Sequence, residues 1–171
     1  LMAFLASWGD RSGSAGVWRH RRKDGGTLWM DITAHNLVLD GRDCMMVIGN
    51  DITAQRASQG RLLMLERAVE SSVNGIVICD AREPDFPIVY VNPAFEQMTG
   101  FSLAEAVGRN CRFLRTDDDA QPELGVMREA LAKGEDCNVL LRNSRKDGTR
   151  FWNHLFLSPV RDVQGELTHY V

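Results

Sequence analysis

Two stretches of this chain, RHRRKDGGTLW (Arg19 to Trp29) and RNSRKDGTRFW (Arg142 to Trp152), share Arg, Arg-Lys-Asp-Gly and Trp at a constant offset of 123 residues without a gap. A repeat in fixed register means that one supersecondary unit occurs twice, and any fold for the chain has to contain it twice. Each copy reads as a polar strand, a tight Lys-Asp-Gly turn, an apolar-rich strand (Leu28 to Val38; Phe151 to Val160), a second turn (Asp40-Gly41; Asp162 to Gly165) and a third strand. That is an antiparallel meander. Only a short stretch precedes the first copy, whereas two short strands (Ile76 to Asp80 and Ile88 to Asn92) and several helices precede the second. The expected organisation is the C-terminal part of one domain over residues 1–53, a helical linker over 54–73, and a nearly complete domain over 74–171 whose last strand is unfinished.

The helices are marked by their ends. Thr53 to Val73 contains no proline and one glycine, and Leu62, Leu65, Val69, Ser72 and Ile76 recur at spacings of three and four, giving one apolar stripe. Such a stripe suits either packing on the chain's own domain or a short dimerising linker. Asn92-Pro93 is an N-cap followed by proline at the first helical position, and Gly100 stops the helix it opens. Ser102-Leu-Ala-Glu105 is a capping box, and Pro122 to Lys133 is a further helix closed by Gly134. The order strand, strand, short helices, meander predicts an α+β domain, with an antiparallel sheet and short helices covering one face. A small ligand would sit between the two layers.

Composition excludes little. Among 171 residues, 44% are apolar and 25% charged, and the formal net charge is −3, so no nucleic-acid or membrane partner is indicated. The longest apolar runs, such as LLML and IVIC, are too short to cross a bilayer, and no tripartite signal peptide is present, so a cytoplasmic location is expected. Cys44, Cys79, Cys111 and Cys137 lie far apart, with no Cys-x-x-Cys and no Cys/His cluster at zinc spacing. They read as reduced thiols, and no metal is expected.

The chemistry concentrates in GRNCRFLR, Gly108 to Arg115. If Asn110 to Arg115 is a helical turn, Arg109, Arg112 and Arg115 lie on one stripe, and Arg128 of the next helix can join them. Clustered guanidiniums suit a shared anion such as phosphate. Cys111 and Leu114 point another way, which describes a pocket for a ligand with an apolar body and a phosphate tail. The alternative is an exposed helix with solvated arginines and a core cysteine. Strand alternation puts Asn143 and Asn153 on the core face, where two carboxamides offer donors and acceptors to the edge of a planar heterocycle. His20 and Met30 occupy the equivalent positions of the first copy, which should not bind the same ligand.

GRNCRFL, RKDGTRFWNHLFLSPV and NPAFEQMTGF closely resemble the LOV (light, oxygen, voltage) class of PAS domains, the flavin-binding blue-light photoreceptors, over about Ser71 to Val171. Val17 to Thr53 resembles the C-terminal strands of an ordinary PAS domain. The resemblance implies the PAS fold, and FMN held non-covalently until blue light drives a reversible bond between a cysteine sulfur and the flavin C4a carbon. It implies that Cys111 is that thiol, that Arg112 and Arg128 bind phosphate, that Asn143 and Asn153 meet the ring edge, and that Asn110 contacts the ribityl chain. Val77, Leu114 and Leu155 match apolar contacts around the ring. Arg115 stands where the family usually has glutamine and retains reach to phosphate. The family's last-strand glutamine, which relays adduct formation outward, would fall just beyond Val171, and Gly49 holds the equivalent place in the first copy.

The expected function is a photosensory module whose effector lies outside these residues. A PAS ligand or redox sensor without photochemistry is the alternative. An enzyme with Cys111 as nucleophile is disfavoured, because His20, His35, His154 and His169 all lie in meander strands without a Cys/His signature. A homodimer is expected through the linker helix and the N-terminal strands, whose apolar candidates Trp18, Leu28, Met30, Ile32, Met46 and Ile48 need cover.

Overall fold

The two Lys-Asp-Gly turns fold alike. In each, the glycine (Gly25, φ 90°; Gly148, φ 84°) adopts the left-handed backbone open to a residue without Cβ. Its N–H donates to the carbonyl of the arginine three residues back, Arg22 at 3.0 Å and Arg145 at 2.9 Å. The sequence repeat is therefore a repeat of hydrogen bonds. The computed structural model describes residues 13–115 and 120–171. The chain divides into two compact units, Leu1–Leu65 and Glu66–Val171.

In the first unit β1 (Gly13–Arg21), β2 (Thr27–Leu39) and β3 (Arg42–Asp51) form an antiparallel sheet in chain order. Ile32 and Ala34 are buried together with Ala15, and Trp18 and Met30 pack against them. The register corrects the expected apolar face. Ile48 pairs with Thr33 and Met46 with His35, so both lie on the face opposite Met30 and Ile32, while Val47 shares the Ala34 face. A run of four apolar residues, Met45 to Ile48, fits either face by alternation, and the one-residue choice belongs to the pairing. Helix α1 (Thr53–Glu70) follows, without a buried residue along its length. It ends three residues before the expected Val73, so Ser72 and Ile76 are not on it.

The second unit begins with β4 (Val77–Asp80) and β5 (Ile88–Val91), each one residue shorter than expected. Helix α2 (Pro93–Thr99) is capped by Asn92, whose Oδ1 accepts from the Phe95 N–H at 3.1 Å, and it is closed by Gly100 in the left-handed region. Helix α3 (Leu103–Ala106) has its capping box, with Glu105 accepting from the Ser102 N–H at 3.0 Å. A 3-10 turn (Cys111–Leu114) and helix α4 (Glu123–Lys133) precede β6 (Cys137–Ser144), β7 (Arg150–Leu157), β8 (Pro159–Arg161) and β9 (Leu167–Tyr170). The long strand expected from Phe151 to Val160 is interrupted at Ser158, because Pro159 has no N–H to give to a ladder. Ser158 instead exchanges two hydrogen bonds with Val171, at 2.8 and 2.9 Å. The ladders run β5-β4-β9-β8 and β6-β7, all antiparallel. Short helices and an antiparallel sheet make an α+β unit, the architecture that the resemblance to PAS domains implies.

Asn92 ties this unit together. It is wholly buried, and its side chain spends every hydrogen-bonding group it has. Besides capping α2, Oδ1 accepts from the Ile76 N–H (2.8 Å), and Nδ2 donates to the carbonyls of Val69 (3.1 Å) and Asn74 (2.9 Å). The last turn of α1 is thereby pinned to the start of α2.

Candidate functional site

Alternation on β6 and β7 builds one wall of the site. Leu141 pairs with Asn153 and Asn143 with Phe151, so both asparagines lie on one face of the ribbon, with Val139 and Leu155. The opposite face, with Leu140, Trp152, His154 and Phe156, is exposed. The helices and β4 supply the other wall, and between the layers lies a cavity of about 700 Å³ that opens past the ribbon to Trp152, His154 and Phe156. Val77, Asn110, Cys111, Arg112, Leu114, Arg115, Asn143, Asn153 and Leu155 all line it, joined by Cys79, Phe86, Phe95 and Tyr170. Arg128 does not. It is exposed on α4 and outside the lining.

The arginines do not share one stripe. The turn that carries Cys111 is a single 3-10 turn beginning after Arg109. Arg109 lies over the Phe113 ring at 3.9 Å and donates to the Glu105 carbonyl at 3.4 Å. Arg112 pairs with the Asp85 carboxylate, and Arg115 is half-buried at the cavity. Asn110 holds this corner in place: its Oδ1 accepts from the Arg112 N–H at 2.9 Å, and its Nδ2 donates to the Asp85 carbonyl. Asp85 (φ 70°) and Phe86 (φ 48°) both adopt the left-handed backbone, which is uncommon for a side-chain-bearing residue and rarer for one as bulky as Phe86. Phe86 packs edge-on against Tyr170, with ring centroids 5.7 Å apart.

Two features show what the cavity can accept. Asn143 Oδ1 is buried without a hydrogen-bond partner among the described residues, which is costly unless a ligand donates to it. Cys111 Sγ lies 3.7 Å from Cys79 Sγ. The hydrogen bond to Cys79, burial and the neighbouring sulfur's charge together push the Cys111 thiol well above the usual range. Cys111 is therefore a neutral thiol at neutral pH, not a prepared thiolate. The apolar walls, the unanswered carboxamide and the cations at one end fit a planar heteroaromatic ring carrying a phosphate tail. Sequence spacing did not bring out Asp85, because its link to Arg112 is made by a turn 27 residues away. Cys79 carries no local signal either, being one apolar-strand residue among several.

Known proteins resemble this chain mainly over its second unit. The PAS domain family model matches residues 73–171. A blue-light photoreceptor of Listeria monocytogenes is 43% identical over 96 residues, 56% of this chain and 38% of that protein. The bacterioopsin transcriptional activator of Halobacterium salinarum is 39% identical over 122 residues, 71% of this chain and 18% of that protein. The solved structure of an RNA-binding light-oxygen-voltage receptor superposes with a TM-score of 0.60 at 46% identity, covering 63% of this chain and 30% of that one. The chain thus spans less than half the length of these relatives. By its matched domain, its relatives and its structural neighbours, the chain belongs to the PAS domain family and to its light-oxygen-voltage class.

Proposed function

We propose that the chain is a blue-light photosensory module that holds FMN in the cavity of its second unit and uses Cys111 as the light-reactive thiol. The supporting observation is the pairing, on the walls of one apolar cavity, of a neutral thiol with the unanswered carboxamide oxygen of Asn143. Asn143 and Asn153 orient the ring by its polar edge, and Val77, Leu114 and Leu155 exclude water from its faces. Asn110 meets the ribityl chain. Arg112 and Arg115 are the lining arginines that would turn to the phosphate, and Arg112 has to exchange the Asp85 carboxylate for it. Bound flavin supplies blue-light absorption and a ring carbon that sulfur can attack. Cys111 brings the sulfur together with its proton, so reactivity waits for light instead of for deprotonation.

The module passes its state to an effector beyond these residues and works as a homodimer in the cytoplasm. Leu62 and Leu65 of α1 are 67% and 51% exposed, and no residue of that helix is buried, which leaves the stripe free to pair with a second copy. Among the described residues no helix is long and apolar enough to cross a membrane.

One experiment tests the reading: absorption spectra of the purified chain before and after blue light, with Cys111→Ala beside it. The chain should be yellow and bleach reversibly, and the variant should keep its colour without bleaching. A colourless protein that takes up no flavin would favour a PAS sensor of another ligand. An unchanged bleach in Cys111→Ala would remove Cys111 from its role.

A further inference from the structure

Cys79 and Cys111 are 32 residues apart in sequence, on β4 and on the 3-10 turn, yet their sulfurs approach to 3.7 Å. Both line the same cavity. Cys79 is fixed by its strand, paired with Ile88 on one side and Tyr170 on the other, and Cys111 is fixed by the Asn110 cap. Two thiols held this close are a dithiol, and a sulfur–sulfur bond needs their 3.7 Å separation to shorten to about 2.05 Å. Cys44 and Cys137 are also free thiols, but among the described residues neither pairs with another sulfur.

We propose that Cys79 and Cys111 form a redox-sensitive pair that closes to a disulfide with peroxide or a low-molecular-weight disulfide, and that closure removes the light-reactive thiol. The consequence for photochemistry rests on the function proposed above; the dithiol itself does not. With hydrogen peroxide the step balances as follows. The sulfur of Cys79 attacks one peroxide oxygen, the oxygen–oxygen bond breaks, and one water leaves as Cys79 becomes a sulfenic acid. The sulfur of Cys111 then attacks Cys79, the sulfur–oxygen bond breaks, and the Cys111 proton leaves with the hydroxyl as a second water. Two thiols lose two electrons and two protons, and the peroxide is reduced to two waters. Cys79 is the natural first nucleophile, because the hydrogen bond it shares with Cys111 lowers its pKa while burial opposes that shift. Cys111, pushed the other way, is the resolving thiol.

The test uses the whole chain in the dark. After peroxide treatment, remaining thiols are alkylated and the tryptic peptides weighed, for the chain and for Cys79→Ser. The expected product joins the peptide of residues 68–82 to that of 110–112, two hydrogens lighter than the separate pair, and dithiothreitol reverses it. The light bleach of the treated chain should fall in proportion to the joined fraction and return on reduction. In Cys79→Ser the bleach after peroxide should equal the bleach before it. Recovery of both cysteines alkylated, at peroxide doses that oxidise exposed Cys44, would overturn the pair. So would oxidation of Cys111 in Cys79→Ser as fast as in the parent chain. If the untreated chain never bleaches, the photosensory reading fails, while the joined peptides still decide the dithiol.

Discussion

The Arg112–Asp85 pair makes the phosphate assignment unusually testable, because its two partners should change FMN affinity in opposite directions. A charge-assisted contact to a phosphate is worth about 1.5–3 kcal/mol. Arg112 and Asp85 are 56% and 57% exposed, and Arg112 has to leave a carboxylate to reach the phosphate, so solvent screening and exchange reduce the net contribution. About 1–2 kcal/mol should remain, and Arg112→Gln should weaken FMN about 5- to 30-fold. Asp85→Asn removes the competing charge, and by the usual worth of an exposed pair, about 0.5–1 kcal/mol, it should tighten FMN about two- to fivefold. Asparagine tolerates the left-handed backbone that Asp85 adopts, and the Asp85 carbonyl still accepts from Asn110, so the turn should survive. The assay is titration of flavin-free protein with FMN and with riboflavin, followed by quenching of flavin fluorescence at low and at high salt. Riboflavin, lacking the phosphate, should respond little to either substitution, and the FMN effects should shrink as salt rises. Equal losses for both flavins, or weaker FMN binding in Asp85→Asn, would refute the reasoning.

Asn92→Ala should destabilise the second unit by about 2–4 kcal/mol in chemical denaturation, since it removes a cap and leaves buried partners without a bond. Asn92→Asp keeps the acceptors but cannot donate to Val69 and Asn74, so it should not restore stability; full rescue would show that the tie to α1 contributes nothing. Glu105 is held at about 2 by Lys146, then by Ser102, and Asp80 at about 2 by Arg82. Depressed carboxylates stabilise the fold above their unfolded pKa values and lose that contribution as pH falls through the folded ones, so stability should decline from about pH 4.5 towards 2. Glu105→Gln should flatten that decline in acid titration, and an unaltered profile would discount the Lys146 pair. Light scattering should give a dimer for the chain and a monomer for Leu62→Glu with Leu65→Glu; a monomeric parent chain would exclude the dimer.

Much of the second unit could be read locally. The N-cap at Asn92, the capping box at Ser102, the stops at Gly100 and Gly134 and both Lys-Asp-Gly turns depend on residues within a few positions of one another, and all are present in the structure. Strand alternation likewise puts Asn143 and Asn153 each on the apolar side of its own strand, and the β6–β7 register joins those sides into one face. The resemblance of GRNCRFL and its companions to a known family marked the residues of the cavity, and the structure gathers them except Arg128.

What depends on distant segments was out of reach. The face chosen by Met45 to Ile48 is set by β2, the pairing of Ser158 with Val171 by the approach of the chain's last strand, and the direction of Arg112 by a left-handed turn at Asp85. Arg109, spaced as if to join the other arginines, turns to Phe113 because a 3-10 turn begins after it. Cys79 was one reduced thiol among four in sequence, and the fold alone put its sulfur beside Cys111. Hydrogen-bond geometry and alternation act over a few residues and leave a written pattern, whereas pairing register and side-chain contacts between elements are settled by packing, which no short stretch of chain contains.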